Sequence, residues 1–166
     1  MSIDEKDYKD ALARWASGVT VLTTVHEDQW KGATVSSFTS ASLRPPLVLV
    51  CLAQRLYTHQ LVSASGVFAV SILRYDQIEL GQIFAGMRPE VTDRFAYGGW
   101  AWQVAPSGSP VLNDALGWLD CRTVHTYPAG DHTIFVGEVQ AIHVGEAGIP
   151  LSYFNRQWGQ FAADES

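Results

Sequence analysis

GATVSSFTSASLRPPLVLVCL, residues 32–52, decides the reading of this chain. Six of its first eleven residues carry hydroxyls: Thr34, Ser36, Ser37, Thr39, Ser40 and Ser42. A surface loop would not need Val35, Phe38 and Leu43 among them. A plain core strand would not carry so many hydroxyls. Pro45 and Pro46 then forbid helix and open an apolar run, LVLVCLA (47–53), which reads as a buried strand. On a strand, alternate residues share a face, so Thr34, Ser36 and Phe38 oppose Val35, Ser37 and Thr39. The strand is expected to break past Phe38, with SASLRPP wandering along a rim. Short hydroxyls and exposed backbone N–H groups suit a planar ligand with many acceptors. A Ser/Thr-rich edge strand bonded to its own backbone is the alternative.

The pattern on either side is mostly β. VTVLTTV (19–25) is β-branched and alternating. HEDQWKG (26–32) is polar and reads as the turn that sends ATVSSF back. VFAVSIL (67–73), the short WAWQV, GWLDCRTVHTY (117–127) and TIFVGEVQAIHV (133–144) follow as strands, the last two joined by PAGDH. Helices are expected at three places. The first starts at a Ser2/Glu5 capping box, carries Tyr8, Ala11, Leu12 and Trp15 on one face, and ends near Gly18. YTHQLVSAS (57–65) is closed by Gly66, and YDQIELGQIFAG (75–86) has a weak point at Gly81. Hairpin-type turns outnumber long crossovers. The expected fold is therefore mainly β, a closed antiparallel split β-barrel with a few flanking helices, in a single domain over residues 1–166.

Composition narrows the function classes. A net charge of −6 argues against nucleic acid or an anionic membrane surface as the main partner. The acidic N-terminus has no signal-peptide core, and no apolar run approaches the roughly 20 residues of a membrane helix. Cys51 and Cys121 sit alone in apolar runs and read as buried free thiols of a reducing cytoplasm. His125 and His132 flank one turn, but no third ligand stands at a metal-site spacing. GxSxG, a P-loop and GxGxxG are all absent, so any dinucleotide must bind without a Rossmann unit.

Several segments could carry chemistry. Thr58 opens a helix and could cap it or meet a phosphate there, with Arg55 upstream. Arg88 and Arg94 flank a loop that also holds Phe95 and Tyr97. A basic loop can neutralise phosphate and an aromatic can lie against a ring, whereas a mobile loop with an Asp93–Arg94 ion pair is the plainer alternative. His132 stands at the mouth of a long strand after the Gly130–Asp131 turn.

These features in this order resemble the short-chain flavin reductase family of FMN-binding split barrels. The segments that carry the resemblance are ASGVTVLTT (16–24), residues 32–52, SGVFAVSIL (65–73), DRFAYGGW (93–100), GSPVLNDALGWLDCRTV (108–124), GDHTIFVGEV (130–139) and PLSYFNRQW (150–158). The resemblance implies a cytoplasmic homodimer that uses NADH or NADPH to reduce FMN or FAD and passes reduced flavin to a separate flavin-dependent monooxygenase. It implies that Thr34, Val35, Ser36 and Ser37 contact the flavin ring, with Ser42 close by. Cys51, Leu52 and Ala53 would pass under the ribityl chain, Thr58, His59 and Arg94 would meet the phosphate, and Phe95 would flank the ring or the ribityl chain. His132 would orient the nicotinamide, with Tyr153, Arg156 and Trp158 completing that pocket. The family often has Tyr where this chain has Trp158, and residues 55–57 (RLY) depart from its serine-rich form. Hydride passes between cofactors in such enzymes, so no acid–base pair is required of the protein. Two other readings keep the fold: a tightly flavin-bound electron-transfer flavoprotein, and a non-catalytic flavin- or haem-binding protein.

Overall fold

A computed structural model describes residues 3–161. In chain order the elements are α1 (Glu5–Leu12), β1 (Ser17–Gly18), β2 (Thr20–His26), β3 (Gln29–Val35), β4 (Thr39–Leu43), β5 (Pro46–Ala53), α2 (Tyr57–Ser65), β6 (Val67–Ile72), α3 (Ile78–Phe84), β7 (Trp102–Val104), β8 (Pro110–Leu112), β9 (Gly117–Ala129), β10 (His132–Val144), β11 (Leu151–Phe154) and β12 (Gln157–Gln160). A 3-10 turn at Tyr75–Gln77 leads into α3. Seven strands form one antiparallel sheet in the order β3-β2-β6-β9-β10-β5-β4. Strands β1, β11 and β12 form a second sheet, and β7 and β8 pair separately.

The seven-stranded sheet is strongly curled. Laid flat it would span about 29 Å. Yet Val35 of the edge strand β3 packs in one cluster with Val48, Val50 and Leu52 of β5, Phe68 and Val70 of β6, Cys121 of β9 and Phe135 of β10. Alternation puts these residues on one face of each strand, and only a rolled sheet brings that face onto itself. The two edge strands, β3 and β4, are consecutive and joined by Ser36–Phe38 alone. Among the described residues no ladder pairs β3 with β4.

Local chemistry explains the turns. Glu27 and Asp28 both take positive φ, 48° and 61°, as a two-residue hairpin between right-twisted strands requires. Gly66 ends α2 in the left-handed region at φ 70°, with its N–H on Val62 O. Buried Thr20, Thr23 and Thr24 hold β2 to its surroundings by donating to the carbonyls of Val35, Pro110 and Val67. At Gly137, where the β9–β10 register shifts, a Cβ would stand 2.4 Å from the ring of Phe68.

Three expectations change. The first helix is capped by Asp4, whose carboxylate accepts from Lys6 N and Asp7 N, and it stops at Leu12. Gly18 instead lies in β1, paired with Ser152, because β11 recruits this backbone as an edge partner, while Trp15 stands 77% exposed beyond the helix. Ser2 lies outside the described residues. Residues 39–43, expected to wander, form β4, since pairing with β5 across the Arg44–Pro45 turn satisfies their backbone. Trp30, Lys31 and Gly32 belong to β3 and not to a turn, because the hairpin needs only Glu27–Asp28.

Candidate functional site

The hydroxyl-rich segment divides between structural and free groups. Thr34 is half-buried, and its hydroxyl donates to Gly81 O in α3 at 2.6 Å. Val35 is buried, its side chain is in the core, and its carbonyl accepts from Thr20 Oγ1 at 2.7 Å. Ser36 and Ser37 are exposed at the gap between the edge strands. Ser37 Oγ lies 3.1 Å from Cys51 N and 3.0 Å from Cys51 O, so it serves the stretch of β5 edge that β4 does not reach. Ser42 is half-buried in β4 opposite Leu47.

β5 supplies the adjoining surface. Leu52 and Ala53 are buried, and Cys51 is half-buried with its thiol pKa raised by that burial. β10 pairs alongside in a register that sets His132 opposite Ala53 and Thr133 opposite Leu52. His59, from the first turn of α2, reaches Thr133 Oγ1 with Nε2 at 2.9 Å and meets the Phe135 ring edge-on. His132 Nδ1 lies 2.7 Å from Asp131 Oδ1. The hydrogen bond from the imidazole holds the Asp131 carboxyl below the usual range. The structure thus brings Ser36, Ser37, Cys51–Ala53, His59 and His132 to one end of the β5–β10 pair.

A groove of about 780 Å³ opens beside this surface. Gly32 and Ala33 of β3, Leu56–Thr58 at the start of α2 and the 91–95 loop line it, and among the predicted residues it collects Thr58, Arg94 and Phe95. Thr58 does not cap α2. Leu56 holds the cap position, and the buried Thr58 hydroxyl donates to Gly32 O at 3.2 Å, tying helix to strand. The backbone N–H of His59 donates to Leu56 O at 3.0 Å, which leaves those of Tyr57 and Thr58 at the start of α2 without a backbone acceptor. Phe95 makes edge contacts with Trp30, Phe84 and Trp102 at 5.0–5.6 Å between ring centroids. Asp93 does not pair with Arg94, because its carboxylate accepts from the N–H groups of Phe95 and Ala96.

The tail residues are placed differently. Tyr153 and Trp158 face each other across the β11–β12 ladder and pack edge-to-face. The Trp158 ring lies where a Cβ on Gly81 would stand, 2.9 Å away, so Gly81 allows the indole to rest on α3 at the residue that also receives Thr34. Arg156, at the hairpin tip, donates to Asp10 Oδ1 at 2.6 Å, and Asn155 N donates to Ala13 O. The hairpin is thereby fastened to α1, and Arg156 is not brought to His132.

Trp30, Lys31 and Tyr57 line the groove and were missed in the sequence. The signal available was Trp30, an aromatic in period-2 step with Gly32 and Thr34, which continues β3 through residues that otherwise look turn-like.

Residues 12–162 match the Flavin reductase like domain family. A protein of Streptomyces coelicolor named actinorhodin polyketide dimerase is 40% identical over 95% of this chain and 87% of its own length. The reductase component of 4-nitrophenol 4-monooxygenase/4-nitrocatechol 2-monooxygenase from Rhodococcus opacus is 38% identical over 96% and 82%. Among solved structures, the NADH:FAD oxidoreductase of Streptomyces globisporus C-1027 in complex with NAD and FAD fragments superposes with a TM-score of 0.89 at 33% identity, covering 100% of this chain and 99% of that one. A profile that spans the strands, the groove and the tail hairpin, with relatives matched along nearly their whole length, places this chain in the flavin reductase-like family.

Proposed function

We propose that this protein is an NAD(P)H-dependent flavin reductase that takes hydride from NADH or NADPH to FMN or FAD and supplies the reduced flavin to a partner monooxygenase. One observation carries the reading. Three segments distant in sequence, Ser36–Ser37, Cys51–Ala53 and His132, converge on a surface of hydroxyls and backbone groups with an imidazole at its rim. Such a surface fits a planar, acceptor-rich ring, and hydride transfer between two cofactors requires no acid–base step of it. The curled sheet, read as a split barrel closed through Ser36–Phe38, keeps these segments together.

When bound, the flavin supplies the hydride acceptor and the nicotinamide supplies the hydride. The protein's part is to hold the two rings in contact and keep water out. Ser36 offers a hydroxyl donor to ring carbonyls, whereas the Ser37 hydroxyl is committed to the Cys51 backbone and contributes its own backbone. Thr34 and Val35 contribute backbone only, since the hydroxyl of one is on Gly81 and the side chain of the other is in the core. Leu52 and Ala53 form a dry floor. The backbone N–H groups at the start of α2, with Arg94, meet the flavin phosphate. His132 keeps Nδ1 on Asp131, which leaves Nε2 to orient the nicotinamide. Trp158, with Tyr153 against it, rests on α3 at the residue that receives Thr34, and Arg156 reaches a nucleotide only by exchanging Asp10 for it.

A cytoplasmic homodimer completes the proposal. Ile142 and Val144 at the end of β10, and Tyr127 near the end of β9, are 63%, 81% and 52% exposed, which supports a covering partner. No described helix is long and apolar enough to cross a membrane.

The test is NADH and NADPH oxidation by dialysed protein with and without added FMN or FAD. Activity that requires added flavin is the expected result. No oxidation with either flavin would refute the proposal. Activity without addition, in protein that stays yellow, would replace it with a tightly bound electron-transfer flavoprotein.

A further inference from the structure

Among the described residues Asp120 is the only buried carboxylate, and no ion pair includes it. Its two oxygens accept from Ser107 N at 2.8 Å and Ser107 Oγ at 2.5 Å. Burying a carboxylate without a cation is unfavourable, and those two bonds offset the cost only while Ser107 stays in place. The ladders set Asp120 of β9 in one row with Ala69 of β6 and Thr23 of β2. Opposite residues of a ladder share a face, so this row lies on the side of the sheet away from Phe68, Val70 and Cys121. Ser71 stands on the same face, two residues along β6. Thr23 and Ser71 are fully buried too, and both hold β8: the Thr23 hydroxyl donates to Pro110 O, and Leu112 N donates to Ser71 Oγ at 3.1 Å. Three buried polar groups on three adjacent strands thus fasten the β7–β8 ribbon and its tip. The apolar contacts beneath it are Ala69, Ala105 and Val111, with Trp118 alongside, and side chains so small define a register weakly. A ribbon displaced by one residue would leave all three polar groups buried without their partners.

The other end of the ribbon carries Trp102, opposite Leu112. Its ring centroid lies 5.0 Å from that of Phe95 and 5.5 Å from that of Phe84, and both phenylalanines line the groove. Phe95 stands in the irregular segment after α3, between left-handed glycines at Gly86 and Gly98, so its ring takes its place from the side chains behind it. We propose that Asp120 is a positioning residue for the flavin site: with Thr23 and Ser71 it fixes the register of the β7–β8 ribbon, and the ribbon sets Trp102 behind Phe95, so that the aromatic wall of the groove is in place before flavin arrives. The inference rests on the flavin reductase reading and adds to it a residue that touches no cofactor.

The experiment compares the wild type with Asp120→Asn and Ser107→Ala, and uses Thr24→Val as the control. Thr24 lies on the opposite face of β2 and donates to Val67 O, so its variant loses one buried hydrogen bond away from the ribbon. Tm is read by thermal unfolding, the aromatic wall by near-ultraviolet circular dichroism of flavin-free protein, the Kd for FMN and FAD by flavin fluorescence, and KM for NADH by turnover. The expected result is that Asp120→Asn changes the near-ultraviolet spectrum and raises the flavin Kd about tenfold, with KM for NADH within about twofold of the wild type. Ser107 is half-buried, so Ser107→Ala keeps the test open should Asp120→Asn fail to fold, and it should raise the flavin Kd about threefold. Thr24→Val should lower Tm by a similar amount and move neither the spectrum nor the flavin Kd. If Asp120→Asn and Ser107→Ala lower Tm but leave the spectrum and the flavin Kd as in the control, Asp120 has a structural role only and the proposal is overturned. A wild type that binds neither FMN nor FAD would instead remove the flavin reductase reading, and the proposal with it.

Discussion

Thr34→Val separates the two roles that the hydroxyl-rich strand could give its first member. The family resemblance implies a flavin contact at Thr34, whereas the structure places its hydroxyl 2.6 Å from Gly81 O. Valine keeps the branched shape and removes only the donor. Gly81 O still accepts from Ala85 N at 3.0 Å, so no buried acceptor is orphaned. The loss is then one net hydrogen bond, about 1 kcal/mol. For a chain of this size that lowers Tm by about 2–4 °C. Flavin affinity should change less than twofold, because only the backbone of Thr34 is available to a ring. Thermal unfolding and a fluorescence titration with FMN read the two effects separately. An unchanged Tm with flavin affinity reduced tenfold would put the hydroxyl on the flavin and refute the assignment to α3.

Gly137→Ala drives a methyl to 2.4 Å from Phe68 and 2.9 Å from Cys121, both fully buried, so we expect about 3 kcal/mol of destabilisation and a Tm about 10 °C lower; a shift under 2 °C would show that the bulge relaxes freely. The Cys121 thiol is pushed up to about 12 by burial, and the neighbouring Asp120 charge adds to this. A raised folded-state pKa stabilises fully below the unfolded value and is lost on the alkaline side, so stability should fall between about pH 9 and 12, and Cys121→Ala should lose less over that window. At pH 8 a thiol reagent should leave Cys121 untouched in the native protein and modify half-buried Cys51 slowly, with added flavin slowing Cys51 further; flavin-independent modification of Cys51 would detach β5 from the proposed site.

Much of the architecture was legible because it is written in local periodicity. The alternation of β2, the apolar run of β5, the long strands β9 and β10 and the Gly66 stop of α2 all appear where the side-chain pattern puts them. Each depends on which face of a short segment is buried, and a stretch of six to ten residues carries that information. β4 was not legible in the same way. TSASL has no apolar face, and it becomes a strand only because β5 lies alongside to take its backbone hydrogen bonds. The start of β3 failed for a related reason: Gln29 and Lys31 look like turn residues until Val25 and His26 pair with Trp30 and Gln29.

The site divides along the same line. The residue types of a flavin surface, hydroxyls on one strand, a histidine after a Gly–Asp turn and a basic aromatic loop, are present in the chain as ordered letters. Which of them are free is a property of the packed molecule. Thr34 is claimed by Gly81 forty-seven residues away, Thr58 by Gly32 across the groove, and Arg156 by Asp10 from the opposite end of the chain. By itself the sequence determined β2, β5, β6, β9 and β10 and the chemistry on offer, because hydrophobic alternation is a short-range pattern. Only the tertiary structure decided which polar groups remain for a ligand, because a hydrogen bond's partner is set by where the folded chain returns.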